Sequence, residues 1–280
     1  MSDISTASEI RLGSQAATEV WLGSTLVWSD FVNPKSIPGL YAWYDSTQGL
    51  YSATSGGSLV TANGAAIARW EDQSGNGRHL IQSDTTYQPK IQASGLNGKN
   101  VVHFTSDVLV SNAANWGLGQ NKVFFFYVIK WDSQPADATL MRLSDSAAGN
   151  FVFFNYWDGA SYSFYPRFYT NGFWSPTVAT STIGTAWQSQ YVLFPRASSF
   201  QTSLYKNNSQ VASISANDNN INFASNRYFG LGANITTAAA PNGNYFDGKI
   251  AELAIYITPR SMTDRDLTNL TNYFSAKWAI

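Results

Sequence analysis

Aromatic and β-branched residues run along this chain in short stretches separated by Gly, Asn, Asp and Ser, the pattern of strands joined by tight turns. Lys122 to Trp131, with no polar break between Val123 and Ile129 except the Tyr127 hydroxyl, is too apolar for a strand with one wet face. It predicts a central strand covered on both sides. Residues 39–45 predict an alternating aromatic strand, and 151–157 and 162–169 a strand pair turned at Asp158-Gly159. Residues 190–194, 201–206 and 210–214 continue in the same style, the last two joined through Asn207-Asn208-Ser209. Residues 227–232 and 248–257 supply the final strands. One helix closes the chain: Leu267, Leu270, Phe274 and Trp278 recur at helical spacing. Thr263 is placed to cap it, Asp264 and Asp266 sit in its first turn, and Lys277 lies in its last, each favourable for the helix dipole.

The stretch Arg69 to Leu80 carries the densest turn chemistry. Asn76-Gly77 accepts the positive φ angles of a tight turn, so the segment reads as strand, turn, strand. Trp70 anchors the incoming strand in a core, and Asp72 caps the turn by accepting from backbone N–H groups.

The start of the chain differs. Val20-Trp21-Leu22-Gly23-Ser24 repeats Ile10-Arg11-Leu12-Gly13-Ser14 ten residues later, and Leu26-Val27-Trp28 follows. Two such units form a small β-element that cannot bury its own apolar face. It either packs on the main domain or docks on a partner through Leu12, Trp21, Leu22 and Trp28. Ser29 to Pro38, with Pro34 and Pro38, reads as a linker. The expected division is an arm over 1–33 and a sandwich domain over 34–280.

Composition narrows the classes. At 280 residues the chain is long enough for a sizeable core, and 15 % aromatic against 12 % charged residues suits a sheet-rich protein. A net charge of −1 without a basic block marks no nucleic-acid or anionic-membrane surface. The absence of cysteine removes disulfides, thiolate metal sites and a Cys nucleophile. The first ten residues show neither a basic nor an apolar signal region, and no apolar run reaches the roughly 18 residues of a spanning helix. No membrane insertion is expected, and synthesis in a cytoplasm is.

In order, the opening 39–45 strand, the Asp72-Gln73-Ser74-Gly75-Asn76-Gly77 turn, Ser94 to Phe104, the Gly248 to Tyr256 strand and a terminal helix resemble the concanavalin A-like lectin/glucanase superfamily. The likeness is to its laminin-G-like branch and covers roughly residues 38–280. The resemblance implies an all-β fold: a two-sheet antiparallel jelly-roll sandwich with a short N-terminal β-repeat arm and a C-terminal helix. It implies binding of glycans or proteins, or a purely architectural role. The "LGS" units resemble those near the start of bacteriophage tail and fibre proteins. Members of the superfamily often hold a structural Ca2+; matching motif positions make Asp72 and Asp247 the candidate ligands, with Asp45 a third, against the alternative that each only caps a turn.

Hydrolysis by this superfamily needs two carboxylates flanking a glycosidic bond. On one strand face that means Glu or Asp at i and i+2 or i+4, and no predicted strand has such a pair. His79 and His103 are the two histidines and have no metal-type spacing. The expectation is therefore a protein that is not an enzyme. A sugar site requires exposed rings beside amides and carboxylates. Trp157, Tyr162 and Trp174 with Asn155 and Asp158 form the richest such region, although alternation turns about half of such rings to the core. The leading expectation is a bacteriophage virion protein (tail fibre, spike or head decoration), made in the host cytoplasm and located on the virion. Its arm contacts other virion proteins, its sandwich faces a host-surface glycan, and it forms a homo-oligomer, with a trimer expected. The alternatives are a cellular carbohydrate-binding module without a signal peptide and, third, a glucanase-like hydrolase.

Overall fold

The computed structural model describes residues 11–12, 15–16, 19–22, 25–29, 33–111, 116, 122–133, 138–145, 151–157, 164–170, 173–174, 186–194, 200–207, 209–216, 227–235, 241, 243–258 and 262–280. For residues 11–29, 122, 144–145, 151–174, 192–202, 211–212, 214–216 and 227 that description covers the backbone alone.

Two small hairpins come first: β1 (Arg11–Leu12) with β2 (Gln15–Ala16), and β3 (Glu19–Leu22) with β4 (Thr25–Ser29). Each is a two-stranded sheet of its own. A short 3-10 turn at Pro34–Ser36 then leads into β5 (Leu40–Asp45). The linker reading of 29–38 therefore changes at Pro34. Pro34 and Ile37 are buried, and the Tyr256 hydroxyl donates to the Pro34 carbonyl at 2.9 Å.

The strands β6 (Leu50–Tyr51), β7 (Arg69–Trp70), β8 (Leu80–Ile81), β9 (Lys90–Leu96), β10 (Lys99–Phe104) and β11 (Leu109–Ser111) follow. Next are β12 (Lys122–Trp131), β13 (Thr139–Asp145), β14 (Phe151–Trp157), β15 (Phe164–Thr170) and β16 (Phe173–Trp174). The chain finishes with β17 (Gln188–Phe194), β18 (Phe200–Lys206), β19 (Ser209–Ala216), β20 (Arg227–Leu231), β21 (Gly248–Thr258) and the helix α1 (Asp264–Trp278).

One sheet has the order β19-β18-β17-β12-β21-β10-β9, with β5 also on β21; the other has the order β16-β15-β14-β13-β20-β11-β8-β7-β6. All the described strand pairs are antiparallel, and the expected all-β sandwich with a C-terminal helix is what the chain forms. Tyr44, Phe104, Phe125 and Trp131 of the first sheet meet Trp70, Leu80, Leu143 and Phe229 of the second in one buried core.

The β12 strand shows why sequence and architecture agree. Val123, Phe125, Tyr127, Ile129 and Trp131 face that core, while Phe124, Phe126 and Val128 join a second core beneath α1. Period-two alternation thus places every residue from Val123 to Ile129 against a packed layer, and each is at most 4 % exposed. Leu270, Phe274 and Trp278 of α1 are buried against this outer face, with Leu267 partly so. The predicted cap is present as a reciprocal box: the Asp266 N–H donates to the Thr263 hydroxyl, and the Asp266 carboxylate accepts from the Thr263 N–H. Asn97 (φ 47°) and Gly98 (φ 75°) form the β9–β10 turn, where both central residues need the left-handed region.

Candidate functional site

The Arg69–Leu80 segment is a hairpin as expected, with Arg69 opposite Ile81 and Trp70 opposite Leu80. Asp72 organises its turn. One carboxylate oxygen accepts from the backbone N–H groups of Trp43 and Ser74, both at 2.9 Å; the other accepts from the Arg78 N–H at 3.0 Å and the Ser74 hydroxyl at 2.8 Å. Asn76 adds amide bonds to the Leu40 and Tyr41 carbonyls, so the turn is tied to the start of β5. His79 accepts the Asp72 N–H on Nδ1 at 3.1 Å, which leaves its proton on Nε2 when neutral. Glu71 and Gln73, on either side of Asp72, line a different surface.

They point into a pocket of about 310 Å³ at the rim of the sandwich. Its walls come from the β5–β6 loop (Gln48, Gly49), from Tyr51 and Leu59, and from Asn100 at the start of β10. Asp45 positions the first wall by accepting from the Thr47 N–H, the Thr47 hydroxyl and the Gln48 amide, at 3.0, 2.8 and 2.9 Å. The Tyr51 hydroxyl donates to Glu71 Oε2 at 3.3 Å, and the Arg69 guanidinium lies 4.1 Å from the Tyr51 ring centre. Gly49 (φ 70°) forms the floor. Its carbonyl accepts the Glu71 N–H at 2.7 Å, and a Cβ at this position would overlap the Gln73 amide and press on Glu71 Cβ at 3.0 Å. Leu59, at the mouth, is 62 % exposed, the one large exposed hydrophobic among the described residues.

Behind the pocket lies a buried charge network. Glu252 of β21 stands opposite Asp45 of β5 in register. Its Oε1 accepts from Trp43 Nε1 (2.6 Å) and the Tyr273 hydroxyl (2.8 Å), and its Oε2 from Trp278 Nε1 (2.6 Å) and Lys277 Nζ (2.8 Å). Lys277 also reaches Asp45 at 2.7 Å. Burial pushes the Glu252 carboxyl above its ordinary range, with the Lys277 charge opposing and the Asp45 charge adding to the rise. Burial likewise raises the Tyr273 phenol, and the Glu252 charge adds to it. Glu252 is 0 % and Asp45 3 % exposed, so this carboxylate pair is closed to solvent and fastens α1 to the sheet.

A third cluster sits where β10, β12 and β21 end together. His103 Nε2 is 3.2 Å from Asp132, Lys130 Nζ is 3.4 Å from it, Lys249 pairs with it directly, and the Ser133 hydroxyl donates to Asp247. The ligand atoms of His103, Asp132 and Asp247 lie within 4.8 Å of one another. Burial raises the Asp132 carboxyl, but the hydrogen bond and charge of Lys249, with Lys130 and His103, outweigh it and hold it below the usual range. Two ammonium groups already balance the two carboxylates here, so a cation would have to displace lysine. Of the three carboxylates expected at a calcium site, only Asp247 belongs to a described group of this kind; Asp72 is committed to its turn and Asp45 to Lys277 and the β5–β6 loop.

The aromatic region singled out from sequence is divided. Asn155 and Trp157 lie on β14 and Trp174 on β16, with backbone described; Tyr162 and Asp158 lie outside the described residues. Leu12, Trp21, Leu22 and Trp28 sit on β1, β3 and β4, and their side chains also lie outside the described residues. Sequence reasoning missed the rim pocket because it is assembled from three distant segments. Its signal was present in part: Glu71 and Gln73 flank the turn-capping Asp72 at i−1 and i+1.

The fold and this rim define a class: an all-β sandwich of two antiparallel sheets closed by one helix. No protein-family model and no curated protein matches the chain. Among solved structures it is similar to the binding domain of Paraclostridial Mosquitocidal Protein 1, at 12 % identity and a TM-score of 0.55 over 86 % of this chain and 53 % of that one. It is also similar to a GH54 α-L-arabinofuranosidase (16 % identity, TM-score 0.54, 85 % of this chain and 63 % of that one). A third likeness is to Trypanosoma rangeli sialidase (12 % identity, TM-score 0.53, 85 % of this chain and 33 % of that one). This chain thus spans between a third and two thirds of their length. At such identities the likeness is one of fold.

It corrects one expectation. The reading that the chain is not an enzyme is overturned, because arabinofuranosidase and sialidase chains share its fold. The sequence test looked only along single strands and could not see pairs made across strands; the cross-strand pair described, Asp45 with Glu252, is itself closed to solvent.

Proposed function

We propose that the chain is a surface-recognition module of a bacteriophage particle, with the sandwich binding a glycan at the rim pocket. In this reading the N-terminal hairpins dock it to other virion proteins and the assembled form is a homotrimer. The observation that carries glycan binding is the pocket itself. A carboxylate, side-chain amides and hydroxyls converge around a small apolar lip, the mixture that reads sugar hydroxyls while packing on C–H faces. The shared fold with the binding domain of a mosquitocidal protein and with two glycosidases supports it. The repeated Leu-Gly-Ser units, whose leucines lie on β1 and β3 apart from the two large sheets, support a docking arm. A printed glycan array tests the recognition role, and immunogold labelling of particles tests the virion role. Label absent from particles, with array binding retained, would favour a cellular carbohydrate-binding module instead. Light scattering of the purified chain tests the trimer.

The glycosidase neighbours favour a second reading, cleavage of the bound glycan. Glu71 is then the carboxylate at hand. Release of 4-nitrophenol from 4-nitrophenyl α-L-arabinofuranoside, lost in Glu71→Gln, is the result that reading requires.

A further inference from the structure

We infer that the rim pocket takes a single uncharged sugar residue at the end of a glycan and rejects sugars bearing a carboxylate. This rests on the glycan-binding reading above and assigns it a ligand class.

Size limits the ligand first. A volume of about 310 Å³ stands at the small end of ligand pockets, which run from ~300 to ~1,000 Å³. Gly49 sets that limit. Its backbone lies beneath Glu71 and Gln73 with no room for a Cβ, so the floor is as deep as a main chain allows.

Polarity sets the class. Glu71 accepts only one described bond, from the Tyr51 hydroxyl at a long 3.3 Å, so its oxygens keep lone pairs for ligand hydroxyls. The Gln48 and Gln73 amides are held by Asp45 and by the Glu71 carbonyl, each through its nitrogen, which leaves their carbonyl oxygens to accept. The Asn100 side chain, which has no hydrogen-bond partner among the described residues, lines the pocket as well. Paired hydroxyls on adjacent ring carbons suit this set, donating to Glu71 and a glutamine oxygen and accepting from the Asn100 amide. Leu59, exposed at the mouth, provides an apolar contact for the ring's C–H face.

Charge makes the selection. Among the described residues no lysine, arginine or histidine lines the pocket, while Glu71 does. Arg69 is turned onto the Tyr51 ring. A uronic or sialic acid would bring its carboxylate beside Glu71 with no lysine, arginine or histidine among the described lining residues to receive it, a repulsion strengthened where water is thinned. The cavity at Lys90 and His103 is a different place, with no carboxylate among its described lining residues.

The test uses the full chain and its Glu71→Gln and Asn100→Ala variants on a printed array pairing neutral termini with uronic- and sialic-acid termini. Half-saturation concentrations are read for each, and melting curves confirm that the variants fold. Asn100→Ala removes no described side-chain bond, so it keeps the test valid should Glu71→Gln melt early. The expected result is binding to a neutral terminus at least tenfold tighter than to its acidic counterpart. Asn100→Ala weakens it about tenfold, and Glu71→Gln narrows the neutral-to-acidic gap to under threefold. Preference for acidic termini, or variants that bind as the parent does, overturns the pocket assignment and leaves glycan recognition standing elsewhere on the surface. Binding to no glycan overturns both.

Discussion

Replacing Glu252 with alanine tests what holds α1 to the sandwich. The carboxylate, itself 0 % exposed, receives two indole N–H groups, a phenol and an ammonium, the last two from partly exposed residues. Removing it strands those donors. An unsatisfied buried donor costs ~1–3 kcal/mol, but Lys277 keeps Asp45 and water can enter the space, so the individual costs do not simply add. The figure for breaking a buried pair, ~3–5 kcal/mol, is the better guide. At ~2–4 °C per kcal/mol for a domain of this size, the melting temperature should fall by roughly 10 °C. Calorimetry reads that fall, and limited proteolysis should cut Glu252→Ala first within or just before α1. Glu252→Gln, which keeps one acceptor oxygen but turns an NH2 group toward two donors, should fall between. A loss below ~1 kcal/mol for Glu252→Ala would refute the reasoning, since four real acceptor contacts cannot vanish that cheaply.

The pH dependence follows with a definite sign. Burial raises the Glu252 carboxyl above its unfolded value against the opposing Lys277 charge, with the Asp45 charge adding to the rise. Its titration therefore contributes stability that is full below the unfolded pKa, ~4.3, and is lost as pH rises through the higher folded pKa. Glu252→Gln should flatten that part of a plot of stability against pH; an unchanged slope would contradict it. Asp132 has the opposite sign. Its lowered carboxyl supports the fold above ~3.9 and loses that support as pH falls through its folded value, so Asp132→Asn should reduce acid sensitivity in urea titrations. Asp72→Ala removes the acceptor of four turn bonds and should cost ~3 kcal/mol in urea denaturation with an unchanged m-value. Deleting residues 1–33 should leave the melting temperature of the sandwich within a few degrees and abolish incorporation or oligomerisation; a truncated chain that fails to fold would place the hairpins in the core. The cut cannot pass Pro34, whose ring and neighbour Ile37 are buried.

Local rules made much of the fold readable. The apolar run of β12 could be stable only between two packed layers, and it lies between the opposite sheet and α1. The spacing of Leu270, Phe274 and Trp278, and the cap at Thr263, specify a helix with one buried face without reference to the rest of the chain. Gly75 and Gly77 in one turn, and Asn97-Gly98 in another, fixed hairpins because few other residues accept their left-handed backbone angles, although Asn76 itself does not adopt one. Relations across the sheet were not readable. Glu252 looks solitary in Ile250-Ala251-Glu252-Leu253, yet its partners come from β5 and α1, and a register shift at this point of the β12–β21 ladder turns it toward the helix side. The rim pocket escaped for the same reason: Gly49, Glu71 and Asn100 share no periodicity, and only the topology brings them together. The aromatic stretch around Trp157 and Trp174 drew notice through composition, which says nothing of which ring faces inward.

Backbone amide chemical shifts, followed while the tightest-binding neutral glycan from the array is titrated in, test the central claim most directly. The account predicts saturating shifts at Gly49, Glu71, Gln73 and Asn100. Shifts confined instead to Asn155, Trp157 and Trp174, with those four residues unmoved, would contradict it.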